Sequence, residues 1–344
     1  MKQLGLGIIG LGVGRGALLL NEDPESPIAV RAVADLDSER LEQATSEYGV
    51  AFATTDYREL LARPDVDVVG VFTPDHLHAE HLPATLEAGK HVICTKPLLT
   101  TLDDCDNVVG LVRRTGLKFV VAQTWRFIPH IIAVKQAVDD GRIGRISLIE
   151  TGYIHDLRGV CEKTPWRVTA PQNFLFGGGA HAIDCLRWFA GNVSEVSAFA
   201  MNSGVIPGYP IEDIWILNLI FESGALGRVL VMCGSVNNRS EGLAGGNKHL
   251  QIYGTEGTIT GIDIGVDGTP QHSNLEVQPP QVAGALIEGP AAGLVPHFSK
   301  MADWIKNDET PDPDVVEGAR GIAVAVAAQE SLKTGRVVKV RNDF

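Results

Sequence analysis

Residues 4–16 read LGLGIIGLGVGRG, a short apolar run followed by closely spaced glycines. In dinucleotide-binding folds a strand of this kind ends in a glycine turn that opens a helix, and the pyrophosphate lies at the helix N-terminus. Gly10 would make the tight turn, and Gly12 would let the backbone approach the phosphates. The usual third glycine is replaced by Arg15, with Gly14 and Gly16 on either side. Taken alone, such a turn could equally pack a helix on a strand without any ligand.

A carboxylate follows the second apolar run at the spacing that a dinucleotide site needs. Asp35 directly follows the apolar run at residues 28–34 and lies roughly 20 residues beyond Gly12. A carboxylate there accepts a hydrogen bond from the ribose 2′-hydroxyl, although Asp35 alone could also be a helix cap. Asp37 would repel the extra phosphate of NADP, and Arg40 would partly offset that repulsion. The order strand, glycine turn, helix, strand and Asp therefore predicts NAD as cofactor, with NADP less favoured.

The hydrophobic pattern predicts an α/β fold with two domains. Short apolar strands alternate with helices up to residue 122, as in a parallel sheet covered on both faces. Residues 1–122 are therefore expected to form a Rossmann domain. After a linking helix at about 129–140, residues 123–344 contain longer strands joined by turns. We expect a C-terminal α+β domain with a large, mostly antiparallel, open sheet that binds substrate and forms the oligomer.

Local signals mark several elements within these domains. Thr101 and Asp104 predict the start of a helix over 101–115, and Gly116 its left-handed end. Ser223-Gly224 indicates a hairpin between two strands of the second domain. Asp312 is expected to cap the last helix, with Pro313 in its first turn. The segments 237–247 and 263–293 are polar or rich in Gly and Pro, which predicts loops.

Composition excludes several classes of partner. The 344 residues include 29 basic and 42 acidic side chains, a net charge of −13. Such a chain repels phosphate backbones and anionic lipid, so neither nucleic acid nor a membrane is expected as a partner. The start of the chain lacks the pattern of a secretory signal, and the five cysteines are scattered without a CxxC pair. These features predict a cytoplasmic protein with reduced thiols.

Two later strands of the parallel sheet end in polar residues. One runs into Thr73-Pro74-Asp75-His76-Leu77-His78, and the next into Thr95-Lys96-Pro97. Ligands of open parallel sheets lie at the carboxyl ends of the strands, which favours a role for Lys96 beside a reacting hydroxyl. The close spacing of Asp75, His76, His78 and His81 leaves a metal site as a less favoured alternative, and a solvated capping turn as a simpler one.

The ordered set of motifs resembles one known family over nearly the whole chain. It comprises the glycine turn, Thr-Pro-Asp-x-x-His (73–78), His91-Val-x-x-x-Lys96-Pro97, Trp125-Arg126-Phe127-x-Pro129, Gly141-x-Ile-Gly144, Trp166-Arg167, the glycine run before His181-x-x-Asp184, and Glu-Ser-x-x-Thr-Gly at 330–335. The family is that of glucose–fructose oxidoreductase, inositol dehydrogenase and rhizopine-catabolism proteins. The resemblance implies a Rossmann domain, a second domain with an open antiparallel sheet, and NAD(P)-dependent chemistry at a sugar or polyol carbon.

Carried over residue by residue, the resemblance implies a set of roles. Lys96 becomes the active-site lysine, His181 the catalytic acid/base, and the Lys96–Pro97 peptide a candidate for the cis form. It places Gly10, Gly12, Val13 and Gly14 at the pyrophosphate, Asp35 at the adenosine ribose, Thr73, Pro74 and His78 toward the nicotinamide, and the pair Trp166 and Arg167 at the cofactor. Beyond the resemblance, we also expect cofactor contacts from Arg40 beside Asp35 and from Thr95 and Lys96 at the carboxyl end of their strand.

Two positions depart from the family pattern. The usual Glu before the lysine is Thr95, and the frequent Asp four residues before the histidine is Gly177. Asp184, one helical turn after His181, could orient the imidazole or be a structural residue. The role of His181 therefore needs a test in the structure.

These observations predict an NAD-dependent oxidoreductase that moves a hydride between nicotinamide and a secondary alcohol or ketone of a sugar, polyol or inositol-like substrate. Two alternatives stay open: an enzyme that retains NAD and uses transient oxidation for elimination or hydrolysis, and a non-enzymatic nucleotide sensor. A homodimer or homotetramer through the C-terminal sheet is expected. Candidate groups for the substrate are Arg126, Tyr153, His155, Asp156 and Arg158.

Overall fold

The structure, a computed structural model, describes residues 3–236, 249–263, 272–273 and 295–344. The loop predicted for 237–247, and that for 263–293 apart from residues 263, 272 and 273, lie outside the described residues. Two compact units are present. The first contains residues 3–123 and 295–319 with Phe344, and the second contains residues 124–236, 249–263, 272–273 and 320–343.

The secondary structure follows in chain order. The strands are β1 (Leu4–Ile9), β2 (Ile28–Ala34), β3 (Phe52–Thr54), β4 (Val68–Val71), β5 (His91–Thr95), β6 (Phe119–Ala122), β7 (Ile146–Ile154), β8 (Val193–Met201), β9 (Ile214–Phe221), β10 (Leu226–Met232), β11 (His249–Gly254), β12 (Thr258–Asp263), β13 (His272–Ser273) and β14 (Val338–Lys339). The helices are α1 (Ser38–Ser46), α2 (Tyr57–Leu61), α3 (His78–Glu87), α4 (Leu102–Thr115), α5 (Pro129–Asp139), α6 (Arg158–Lys163), α7 (Trp166–Thr169), α8 (Gly178–Ala190), α9 (Val295–Asn307) and α10 (Val315–Thr334), with 3₁₀ helices at Gly14–Glu22, Asp75–Leu77 and Thr124–Phe127.

The first unit is built on a parallel sheet in the order β3-β2-β1-β4-β5-β6. The strand order reverses at β1, so β1 and β4 form the switch point beside which ligands of such sheets bind. Phe298, Met301 and Trp304 of α9 belong to the same apolar core as the strand residues. The expected boundary at residue 122 therefore marks only the first crossing between units, because the chain returns to the first unit at α9.

The local signals in the first unit are confirmed. The side chain of Thr101 accepts a hydrogen bond from the amide of Asp104 at 3.2 Å, and α4 begins at the next residue. Gly116 ends the helix with a φ of +67°, a conformation that favours glycine. The helix after the glycine turn is a 3₁₀ helix over Gly14–Glu22.

The second unit is built on a mostly antiparallel sheet in the order β13-β12-β11-β7-β10-β9-β8-β14. Alternate residues of β9 are buried and exposed, as expected of a sheet that is packed on one face. The predicted hairpin joins β9 to β10, with Gly224 at a φ of +83°. β7 and β10 pair in parallel, because the chain crosses through α8 between them.

The last helix begins later than the sequence signal indicated. The carboxylate of Asp314 accepts from the amide of Glu317 at 2.8 Å, and α10 begins at Val315. Asp312 is therefore not the cap that the sequence predicted. The carbonyl of Pro313 instead accepts from the amide of Val121 at 3.0 Å, which pairs this segment with β6.

Candidate active site

The glycine turn after β1 leaves open space at one position and is closely packed at the others. Gly10 has a φ of +92°, and a Cβ there would lie 2.8 Å from the carbonyl oxygen of Phe72. Gly14 is buried, and a Cβ there would meet Ile8 and Phe72 at 2.9 Å. A Cβ at Gly12 would meet no protein atom within 4 Å. The protein's own packing thus requires glycine at 10 and 14, whereas the space over the backbone of Gly12 is what the predicted approach to a pyrophosphate needs.

Asp35 is fixed at the carboxyl end of β2 beside this turn. Its Oδ2 accepts from the amide of Leu11 at 2.6 Å, and its Oδ1 from the amide of Asp37 at 2.9 Å. Arg40 lies 3.6 Å from Asp35 and 3.1 Å from Asp37, so one guanidinium faces both carboxylates. Each Asp35 oxygen keeps a second lone pair, which suits a ribose hydroxyl. The glycine turn and Asp35 therefore fit the adenosine half of a dinucleotide.

Several side chains near the end of β4 contact one another. The Thr73 hydroxyl lies 3.0 Å from Nδ1 of His81, whose ring packs edge-on against Tyr57. Burial lowers the pKa of His81, which favours the neutral ring. His78 is completely buried. Among the described residues, no group of three or more His, Cys, Asp or Glu side chains is placed to hold a metal ion.

Lys96 follows β5 at the same sheet edge and is half-buried, between the half-buried Thr95 and the buried Pro97. Cys94 donates from its thiol to the carbonyl of Thr95 at 3.0 Å, and burial raises the pKa of that thiol. The Lys96–Pro97 peptide is cis, as predicted. The first unit thus brings Gly12, Asp35 and Lys96 to the carboxyl edge of one parallel sheet.

The glycine run of the second unit lets α8 begin directly against the sheet. A Cβ at Gly178 would overlap the ring of Tyr153 on β7. A Cβ at Gly179 would lie 3.1 Å from Val231 on β10. Only a bare backbone allows this close packing of the first turn, which carries His181.

His181 lies in an aromatic stack inside the second unit. Its ring lies 5.6 Å from that of Trp125, with 14° between the planes, and 6.4 Å from that of Tyr153. The ring of His155 also stacks on Tyr153, at 5.9 Å. Burial raises the pKa of Tyr153, so its hydroxyl stays protonated at neutral pH. The stack restricts the orientation of the imidazole without using its nitrogens.

Asp184 forms a buried ion pair with Arg126. The guanidinium donates from Nε at 2.9 Å and from Nη2 at 2.7 Å, and both side chains are 5% exposed. The Arg126 guanidinium also lies 5.3 Å from the ring centre of Trp188. From the sequence, Asp184 could either orient His181 or be a structural residue. Both carboxylate oxygens instead accept from Arg126, so Asp184 fixes α8 to the segment before α5.

The Trp166-Arg167 pair is tied to a buried amide. The Arg167 guanidinium stacks on Trp166 at 4.4 Å, donates to the Thr164 hydroxyl at 3.1 Å, and donates to the Gln172 carboxamide. A Cβ at Gly177 would lie 3.2 Å from that carboxamide. Gln172 therefore fills the space into which a side chain at 177 would extend.

The remaining candidate groups are also engaged. Asp156 pairs with Arg158 at 2.6 Å, and Nδ1 of His155 lies 3.1 Å from the carbonyl oxygen of Asp156.

Sequence reasoning missed the stacking of Trp125 and the position of Gln172. Trp125 carried a signal, since it follows the last parallel strand within two residues of the unit boundary. Gln172 carried none.

Comparison with known proteins gives two family matches. Residues 4–123 match the family described as "Oxidoreductase family, NAD-binding Rossmann fold". Residues 131–260 match the family described as "GFO/IDH/MocA C-terminal domain". No helix within the described residues is long and apolar enough to cross a bilayer.

Relatives match over most or all of the chain. Myo-inositol 2-dehydrogenase of Thermotoga maritima is 24% identical, over 97% of this chain and 98% of that protein. Levoglucosan dehydrogenase of Pseudarthrobacter phenanthrenivorans is 29% identical, over 75% of this chain and 73% of that protein. A solved levoglucosan dehydrogenase in complex with NADH superposes with a TM-score of 0.85 at 23% identity, covering 99% of this chain and 100% of that one. The last comparison establishes the fold.

Proposed function

The chain belongs to the GFO/IDH/MocA family of NAD-binding oxidoreductases, and on that premise we propose that it is an NAD-dependent dehydrogenase of a sugar, polyol or inositol-like substrate. The first unit would hold the cofactor, and the second would hold the substrate. The observation that carries the proposal is the position of Lys96 at the sheet edge where Gly12 and Asp35 also lie. The named relatives that act on inositol and levoglucosan support the substrate class.

The cofactor would be held by the open backbone at Gly12 and Val13 and by the fixed carboxylate of Asp35. Thr73, Pro74 and Thr95 would face the nicotinamide, with Arg167 held rigid by Trp166 and Gln172. When bound, NAD accepts or gives the hydride. The paired aspartates 35 and 37 favour NAD over NADP because an added 2′-phosphate would approach two carboxylates.

The proton chemistry is assigned to two side chains, His181 and Lys96. His181 is suited to take the proton of the substrate hydroxyl, because its ring is fixed by Trp125 and Tyr153 while proton transfer needs an exact orientation. The role proposed for Lys96 is to stabilise alkoxide character on the substrate. General acid–base catalysis of this kind contributes roughly 10²–10⁴-fold.

The test is a screen of sugars, inositols and sugar acids with NAD and NADP, followed by nicotinamide absorbance. Reduction of NAD by a polyol supports the proposal. Consumption of a substrate without net NADH would identify an enzyme that retains its cofactor. NAD binding without turnover of any compound would identify a non-enzymatic nucleotide sensor. The dehydrogenase proposal would then be wrong.

We also propose a homodimer or homotetramer through the outer face of the second sheet. Apolar side chains that stay exposed cover this face, with Phe199 69% and Met201 57% exposed on β8. Ile216 and Ile220 of β9 extend the apolar area. Light scattering after chromatography should give a multiple of 36.8 kDa, and Ile216→Lys should reduce it toward the monomer. A monomeric unaltered protein would rule this out.

We propose a cytoplasmic location. All five cysteines lie among the described residues, and each is a buried thiol outside any disulfide. Thiols persist in this way in a reducing compartment. Cell fractionation of the native host tests the location, and recovery from an oxidising compartment would contradict it.

A further inference from the structure

His78 contacts two turns at the carboxyl edge of the first sheet. Its Nδ1 lies 2.8 Å from the carbonyl oxygen of Pro97 and 3.1 Å from that of Leu98. Its Nε2 lies 3.1 Å from the carbonyl oxygen of Thr73. The ring therefore connects the turn after β4 with the turn after β5, and the second of these turns carries Lys96.

The burial of His78 excludes the direct role that its motif indicated. The residue is 0% exposed, so no part of it is available to a cofactor in this structure. We infer that His78 is a positioning residue, which holds Lys96 in place through the hydrogen bond from Nδ1 to the Pro97 carbonyl. The inference rests on the proposed dehydrogenase function for its kinetic consequences.

The hydrogen-bond chemistry assigns different importance to the two ring nitrogens. A carbonyl oxygen only accepts, so each contact is a hydrogen bond only when its ring nitrogen carries a proton. We assign the proton of the neutral ring to Nδ1, because two carbonyl acceptors face it and one faces Nε2. The third neighbour of Nδ1 is the Cys94 sulfur at 3.8 Å, whose raised pKa keeps it a neutral thiol. The Nε2 contact with Thr73 becomes a hydrogen bond only when the ring is doubly protonated. Nδ1, on the Lys96 side, is therefore the nitrogen that matters.

The bond acts on Lys96 at very short range. Pro97 and Leu98 are both buried, so their carbonyls depend on a protein donor. Lys96 is the residue immediately before Pro97, whose ring fixes φ, so only rotation about ψ of Pro97 separates that carbonyl from the backbone of Lys96. A misplacement of about 1 Å in a catalytic group can cost about 10²-fold in rate.

Two conservative substitutions separate the two nitrogens. In His78→Asn the side-chain amide nitrogen takes the place of Nδ1, and in His78→Gln it takes the place of Nε2. We expect His78→Asn to keep kcat within about threefold and His78→Gln to lose about tenfold or more, with the Kd for NAD little changed in both. Equal losses in the two variants, or a larger loss in His78→Asn, would overturn the inference.

His91 provides the matched control at the opposite end of the same strand. Its Nδ1 accepts from the amide of Lys118 at 2.9 Å, and the residue is half-buried. His91→Ala and His91→Gln remove a comparable contact far from the carboxyl edge. Both variants should leave kcat unchanged and lower the melting temperature. A difference in kcat between them would show that the effect of the substitutions at His78 is not specific to that residue.

A measurement independent of turnover separates this inference from the proposed function. Acetylation of Lys96 by acetic anhydride, mapped by mass spectrometry against the exposed Lys339, reports how firmly the side chain is held. Lys96 should react faster in His78→Gln and at the unaltered rate in His78→Asn. If that order holds although no substrate turns over, the positioning role stands and the dehydrogenase proposal falls. Equal rates in both variants would refute the positioning role.

A second variant covers the case in which His78→Gln does not fold. In His78→Ala the buried space can be filled by added imidazole, which restores a donor to the Pro97 carbonyl. The Lys96 acetylation rate should then return toward that of the unaltered protein, whereas 1-methylimidazole, which has no N–H when neutral, should not restore it. Restoration by both compounds, or by neither, would count against the assigned hydrogen bond.

Discussion

The turn that carries Lys96 and the helix start that carries His181 are held by different kinds of contact. The Lys96 turn is held by a polar contact from His78 to the carbonyls of Pro97 and Leu98. His181 is held by ring stacking and by packing on bare glycine backbone. A polar contact can be exchanged for another donor of the same reach, whereas packing requires the right volume at each position. The two regions should therefore respond differently to mutation.

The largest effect is expected from the buried ion pair that fixes α8. Asp184→Ala leaves the Arg126 guanidinium buried without its carboxylate, which should cost about 3–5 kcal/mol of unfolding free energy. Urea denaturation measures the loss. The double variant Arg126→Met/Asp184→Leu removes both charges and should recover most of the stability. A double variant no more stable than the single one would show that the charges are not the cause.

The next effect concerns the acid/base itself. His181→Ala should lower kcat by roughly 10²-fold or more, because the proton carrier is lost, while the Kd for NAD changes little. Steady-state kinetics and a nucleotide titration measure the two quantities separately. A kcat within a few-fold of the unaltered value would mean that another group, such as Lys96 or His155, moves the proton.

A smaller effect tests the packing at the start of α8. Gly178→Ala introduces a methyl group where the ring of Tyr153 lies, which should cost about 1–3 kcal/mol and disturb the stack on His181. Gly159→Ala is the control, because a Cβ there meets nothing within 4 Å. Thermal unfolding measures the Tm, which should fall only in Gly178→Ala. Equal Tm values would contradict the close packing.

The smallest effect belongs to the polar region around Asp35. Asp35→Ser removes one carboxylate and should narrow the preference for NAD over NADP by about tenfold, equivalent to about 1.4 kcal/mol. Asp37→Ser should narrow it less, because serine preserves the cap on α1 and Asp35 remains. Titration with both nucleotides gives the ratio of Kd values. If the unaltered protein bound NADP as tightly as NAD, the role of Asp35 would be wrong.

Local sequence signals predicted the fold well because they act over a few residues. The bounds of β1 and β7 agree with the apolar runs at Leu4–Ile9 and Ile146–Ile154, and the turn at Gly116 has the conformation that its position indicated. The cap at Asp312 was wrong because a distant strand competes for the same segment through Val121 and Pro313. The packing of α9 on the core of the first unit likewise depends on contacts between residues far apart in the chain, which local signals do not report.

The candidate site was predictable in its chemistry and less so in its contacts. The motifs placed Lys96 at the carboxyl edge of the first sheet, since that edge follows from strand order alone. The partner of Asp184 was not predictable, because Arg126 is 58 positions away in the chain. The complete burial of His78 likewise depends on the turn after β5, to which its own segment gives no signal.

Gly12 and Gly14 have different surroundings, so the residues that relatives carry at these two positions report on their evolution as well as on binding. Gly14 is required by the packing of Ile8 and Phe72, so its loss would damage the fold whatever the protein does. A Cβ at Gly12 would face open space, so within the protein nothing restricts this position, and the proposed nucleotide contact would be what keeps it glycine. Descendants that keep glycine at 14 but carry a larger side chain at 12 are expected to fold normally and to have abandoned the dinucleotide. The residues at positions 12 and 14 are therefore expected to distinguish relatives that retain dinucleotide binding from relatives that retain only the fold.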